Sequence, residues 1–230
     1  MGEIAYTVRR SDRARHARVE VSADGVQVVL PRRVPLRRAA PLVEEKRPWI
    51  ERTLRRYQEA RRAGPVARLE DGGTVPYLGA QLGLAVRVEE GRRRAHVRRA
   101  GDVLRVAVAA PGGPDAVRHA LEGWYRRRAA AEIGPRLDDA VARAGGSYLR
   151  LSIRSQRTRW ASCSSSGTMS FNWRLLLAPE AILDYVIEHE VAHLAVPDHS
   201  TRFWRLLTDR VPDTRERERW LRANGPALRL

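Results

Sequence analysis

The residues with the most chemistry per unit length are His189-Glu190-Val191-Ala192-His193. Side chains four apart on an α-helix stand one above the other on the same face, so the imidazoles of His189 and His193 can both reach one ion at about 2.0–2.1 Å, the ordinary zinc–nitrogen distance. Glu190 sits about 100° further round the helix. It need not bind the ion and can instead take a proton from a water that the ion activates. The pattern therefore implies metal-assisted hydrolysis, with Glu190 as general base and one Zn2+ per chain. A third ligand is required. His199 is the nearest donor in sequence, and Glu216 or Glu218 is the alternative. Three histidines would leave a fourth position for water, which is the arrangement of catalytic rather than structural zinc.

The surrounding sequence must supply the geometry. Pro179-Glu180 can open a helix, since proline is favoured in a first turn, and Ile182, Leu183, Tyr185 and Val186 carry it into the motif. Tyr185, Val186, Val191, Ala192 and Leu194 are apolar, so this helix is expected to be buried. Two histidines and a glutamate on it would be costly there without a partner. Tyr185 lies on the same side as His189, and packing is the simpler reading of its role. Pro197 disfavours helix at Val196, so the helix should stop near Ala195 and turn back with His199. Asp198 or Ser200 can cap a following helix with Phe203, Trp204 and Leu207 on one face. The interval from His193 to His199 matches a metzincin, but Val196 stands where that pattern needs glycine and no methionine follows, which speaks against a metzincin.

Upstream, the chain is expected to be α+β, with a strand-rich region over 1–110 and the metal-binding region over 111–230. Alternation predicts strands near Ile4–Val8, Ala17–Val21 and Val26–Leu30, with Asp24-Gly25 turning a hairpin. Leu36–Tyr57 has helical spacing, and Pro41 and Pro48 leave one kinked helix or two short ones open. After a loop at Gly64-Pro65, more strands are expected near Thr74–Leu78, Leu82–Val88, Ala95–Arg98 and Val103–Val108. The Gly/Pro cluster at Ala110–Pro114 is the boundary. Asp115 then caps a helix with the stripe Val117, Leu121, Trp124, Ile133, Leu137 and Val141, kinked at Gly134-Pro135. Strands follow near Tyr148–Ile153 and Thr168–Trp173. The stretch Ser170–Trp173, just before the active-site helix, could be a core strand or could offer an edge to an extended substrate.

Composition limits the setting. The 230 residues carry a formal charge of +16, or +11 before Pro111 and +5 from it onward. Lys46 is the only lysine, so the excess is arginine and reads partly as nucleotide composition. With Cys163 as the only cysteine, a disulfide framework and a cysteine-rich metal site are excluded. Cys163 reads as a small packed side chain rather than a nucleophile. His16, His96 and His119 have no partner histidine at ligand spacing. There is no run of eighteen apolar residues and no secretion signal, which points to the cytoplasm and away from a membrane. Between Ala140 and Pro179 stand Arg143, Arg150, Arg154, Arg157, Arg159 and Arg174 with no acidic residue. Such a field can attract acidic protein segments or nucleic acid, with Trp160 beside Arg159 available for stacking. A nucleic-acid-binding protein with a vestigial metal site is therefore the rival of a peptidase acting on proteins or peptides.

The chain resembles the YgjP-like metallopeptidases, which are related to the SprT-like zinc proteases and small gluzincins. The resemblance rests on Arg157–Ser164, on Asn172-Trp173-Arg174-Leu175, on Tyr185–Leu194 and on Asp198–Trp204, with further similarity at Val28–Pro31, Lys46–Ile50 and Tyr77-Leu78-Gly79. It implies a zincin-like catalytic half, His189, His193 and His199 as zinc ligands, and Glu190 as catalytic base. Ala161 departs from the glycine usual in that family, at a position that is not a proposed ligand.

Overall fold

The computed structural model describes residues 3–22, 25–63, 68–156, 159–164 and 166–230. Asp24 of the expected hairpin turn, the Gly64-Pro65 loop, Arg157 and Thr158 lie outside them. The backbone divides into two compact units, one of residues 1–65 with 223–227 and one of 66–222 with 228–230.

In the first unit, β1 (Tyr6–Ser11) pairs in parallel with β3 (Gly25–Pro31), and β2 (Arg18–Ser22) closes an antiparallel hairpin on the other side of β3. Helix α1 (Ala39–Ala63) is one continuous element, not two. Pro41 falls in its first turn, where the missing N–H would have had no helical acceptor, and Pro48 is accommodated inside. Val43 and Ile50, two helical turns apart, are buried with Val21, Val28 and Leu30.

The second unit opens with a four-stranded sheet of β4 (Thr74–Tyr77), β5 (Ala80–Glu89), β6 (His96–Ala100) and β7 (Val103–Ala109), in the order β4-β5-β7-β6. Leu78 and Gly79, both at positive φ (49° and 90°), make the two-residue turn between β4 and β5. The Leu78 N–H donates to the carbonyl of Leu176 at 2.8 Å, which ties this turn to the segment preceding the motif helix. Helix α2 (Pro114–Arg143) runs through Gly134-Pro135 without a break. It is capped at Gly113 with Pro114 in the first position, so Asp115 lies in its first turn rather than at the cap. Leu84, Leu104, Val106 and Val108 of the sheet share one core with Val117, Leu121 and Ile133 of α2 and with Leu183, Ile187 and Val191 further along the chain. The Ala110–Pro114 break thus separates β7 from α2 inside this unit.

A three-stranded sheet follows, ordered β8-β10-β9 from β8 (Arg150–Arg154), β9 (Ala161–Cys163) and β10 (Thr168–Asn172). Because β10 is paired on both sides, parallel to β8 and antiparallel to β9, it has no edge to offer a substrate. Of the two readings open for Ser170–Trp173, the core strand holds and the open edge does not: the outer strands are β8 and the short β9. Helices α3 (Glu180–Ala195), α4 (Thr201–Arg210) and α5 (Thr214–Asn224) complete the chain. Among the described residues no helix is long and apolar enough to cross a membrane.

Candidate metal centre

Helix α3 carries the motif, and its end is set by sequence. Val196, before Pro197, leaves the helical region at φ −137°, ψ 102°. The chain turns through Asp198, whose Oδ1 accepts from the Ser200 N–H at 3.0 Å, and α4 starts at Thr201. Ser200 occupies the N-cap of α4 without a side-chain capping bond.

This turn brings His199 to His189 and His193. One potential ligand atom from each lies within 4.8 Å of the other two, and His199 Nε2 is 3.1 Å from His189 Nε2. Two nitrogens on one tetrahedral ion at zinc–nitrogen distances would be about 3.3–3.4 Å apart, close to that separation. His193 Nδ1 lies 3.1 Å from the Val196 carbonyl oxygen. Donating there fixes its tautomer and leaves Nε2 with a free lone pair, the usual outer support of a metal-binding imidazole. His189 Nδ1 is buried with no hydrogen-bond partner. A single proton between His189 Nε2 and His199 Nε2 would engage two of the three rings, whereas one cation would engage a nitrogen of each, and His189 Nδ1 stays without a partner either way. The donor set, three imidazoles with no thiolate, suits a borderline ion such as zinc.

Phe203, fully buried on α4, forms the floor. Its ring stacks on His193 with centroids 4.5 Å apart and lies 4.9 Å from His189 and 4.8 Å from His199. Burial, with His193 and His199 adding to it, pushes the His189 pKa down to about 4, so the ring is neutral and able to coordinate near pH 7. His193 is also lowered, chiefly by burial.

Glu190 is 6% exposed, and burial raises its pKa to about 7. The backbone N–H of Cys163 and the charge of Arg159 work in the opposite direction. Tyr185, its ring 6.0 Å from that of His189, is buried and pushed up to about 12, which agrees with packing. Cys163 is half-buried, and its thiol is raised by burial and by Glu190, as expected of an unreactive side chain. Neither Glu216 nor Glu218 joins the histidine cluster, and Glu218 pairs with Arg222 at 2.6 Å.

Sequence reasoning missed three contributors. Cys163 contributes its backbone through β9, a strand too short to leave a periodic signal. Glu188, buried beside the motif, is held by Arg143 of α2 at 2.6 Å and Arg210 of α4 at 3.7 Å. Arg136 of α2 bridges Glu180 and Asp184 of α3. These pairs join residues far apart in the chain, so spacing could not reveal them. They also thin out the basic stretch. Arg143 is ion-paired and Arg174 lies over the Trp173 ring at 4.8 Å, while Arg150, Arg154 and Arg159 remain exposed.

Two imidazoles from a buried helix and a third from the turn after it, with Glu190 buried on the same helix, make the arrangement of a metal-dependent hydrolase. The family comparison agrees: residues 15–224 match the YgjP-like metallopeptidase domain, and the chain belongs to that family. Among solved structures, the metallopeptidase zymogen of Pyrococcus abyssi abylysin is similar at 26% identity, covering 39% of this chain and 91% of its own, with a TM-score of 0.36. A comparison with curated proteins finds no match.

Proposed function

We propose that this protein is a zinc-dependent peptidase in which His189, His193 and His199 hold the ion and Glu190 is the general base. The observation that carries this reading is the convergence of the three imidazoles, with the carboxylate of Glu190 buried on the helix that bears two of them. When bound, zinc would supply Lewis acidity, polarising a peptide carbonyl and acidifying water. Everything else falls to the chain. Phe203 and the Val196 carbonyl hold the imidazoles in place, so little reorganisation is needed at the moment of reaction. Glu190, whose burial puts its pKa near neutrality, can accept a proton from the attacking water and return it to the leaving amine. The Cys163 N–H orients that carboxylate.

The substrate is a protein or peptide. The test is cleavage of casein and of a peptide library by the full chain. Cleavage should stop on chelation and return on adding zinc. Activity indifferent to chelation, or no cleavage by zinc-loaded protein, would overturn the reading.

A further inference from the structure

The sheet of β4 to β7 has two faces with opposite chemistry. One packs on α2. The other is open, and its register gathers cations. Arg98 on β6 stands directly opposite Arg105 on β7, with Ala85 of β5 completing that row. The next row on the same face is His96, Ala107 and Arg87. The two rows are about 7 Å apart along the strands, as residues i and i+2 are in any strand.

Arg87, Arg98 and Arg105 are exposed, and none has an ion pair or hydrogen bond among the described residues. This is not for want of acids nearby. Glu89 is taken by Arg92 at 2.6 Å and Asp102 by Arg99 at 3.6 Å. The turn between β5 and β6 holds the exposed Glu90 together with the exposed Arg93 and Arg94, so it too is net positive. Like charges directly opposite each other on neighbouring strands destabilise a sheet. Arg98 and Arg105 therefore work against the fold unless an anion lies across them.

We propose that this open face is a docking surface for duplex DNA, gripped through its phosphate backbone without regard to sequence. Guanidinium groups match phosphate in a bidentate way, and a planar array two rows deep suits a continuous line of phosphates better than one small anion. Among the described residues His96 is the one aromatic ring on the face, so successive unpaired bases would find no series of stacking platforms. The proposal does not depend on the peptidase reading.

The experiment uses the full chain and a 24-base-pair duplex followed by fluorescence anisotropy between 50 and 200 mM salt. The variant R87Q/R98Q/R105Q is compared with R52Q/R55Q/R56Q, which removes three exposed charges from α1 instead. Each phosphate contact contributes a slope of about 0.9 in log K against log salt. The sheet variant should therefore bind at least tenfold more weakly at 100 mM salt and lose about 2–3 units of slope, with a melting temperature equal to or above wild type. The α1 variant should bind within twofold of wild type. Equal losses in both variants, or no duplex binding by wild type, would overturn the proposal. So would tighter binding of a single strand than of the duplex, or an arginine dependence seen only on phosphatidylserine vesicles or a polyglutamate peptide.

Discussion

The backbone N–H of Cys163 donates a hydrogen bond to the carboxylate of Glu190, joining the outer strand β9 to the motif helix α3. The bond survives replacement of the carboxylate by an amide, because the amide oxygen still accepts. Glu190→Gln should therefore keep the fold and the bound metal while losing the base. Cleavage should drop by about 10²–10⁴-fold, the usual contribution of general-base catalysis. Metal content and peptide turnover on the same preparation check this. Loss of metal together with activity would reassign Glu190 as a ligand.

Phe203 touches all three imidazoles from below, so Phe203→Ala should cost about 3–5 kcal/mol by opening a cavity in the core. Zinc affinity should fall as well, because the rings lose their common support. Phe203→Leu should recover most of both. Chemical denaturation and competition with a chromogenic chelator measure the two effects separately.

Glu188 is buried between two arginines, and Glu188→Ala strands the guanidinium of Arg210, whose Nη1 is already buried without a hydrogen bond. Breaking a fully buried pair costs about 3–5 kcal/mol. Here about 2–3 kcal/mol is expected, because Arg143 stays exposed and screened by water. Urea denaturation of the variant tests the figure, and a cost under 0.5 kcal/mol would show that the network contributes nothing.

In protein stripped of metal, the shifted groups at the centre pull stability in opposite directions with pH. His189 falls from an ordinary 6.5 to about 4 on folding, so between those values the unfolded chain binds the extra proton and stability rises with pH. His193, also lowered, adds to this. Glu190 rises from 4.5 to about 7, so over that range the folded chain binds the extra proton and stability falls with pH. The effects offset each other between 4.5 and 6.5. Glu190→Gln removes the offset, and its stability should fall more steeply than that of wild type as pH drops from 6.5 to 4.5. Denaturation midpoints across that range, with equal slopes for the two proteins, would contradict the assignment.

The helix bearing the histidines, its end at Val196 and the return of His199 were all legible, because each follows from a local rule: four-residue spacing, the restriction before proline, and the capping turn. The β2–β3 hairpin of the first unit and the strands from β4 to β7 were legible for the same reason. What escaped depends on partners distant in the chain. That β10 lies between two strands follows from pairing with β8 and β9, which alternation within β10 does not encode. The continuity of α1 through Pro48 and of α2 through Pro135 reflects tertiary packing prevailing over a local penalty. Helix α5 has a sequence so dominated by charge that little apolar stripe was left to read.

The most direct test is zinc per chain, measured by elemental analysis on wild type and on single alanine variants at His189, His193, His199, Glu216 and Glu218. Wild type, Glu216→Ala and Glu218→Ala should each retain about one tightly held zinc, and each histidine variant should lose it. A His199→Ala protein that keeps its zinc, or a Glu218→Ala protein that loses it, would show that the three imidazoles are not the ligand set.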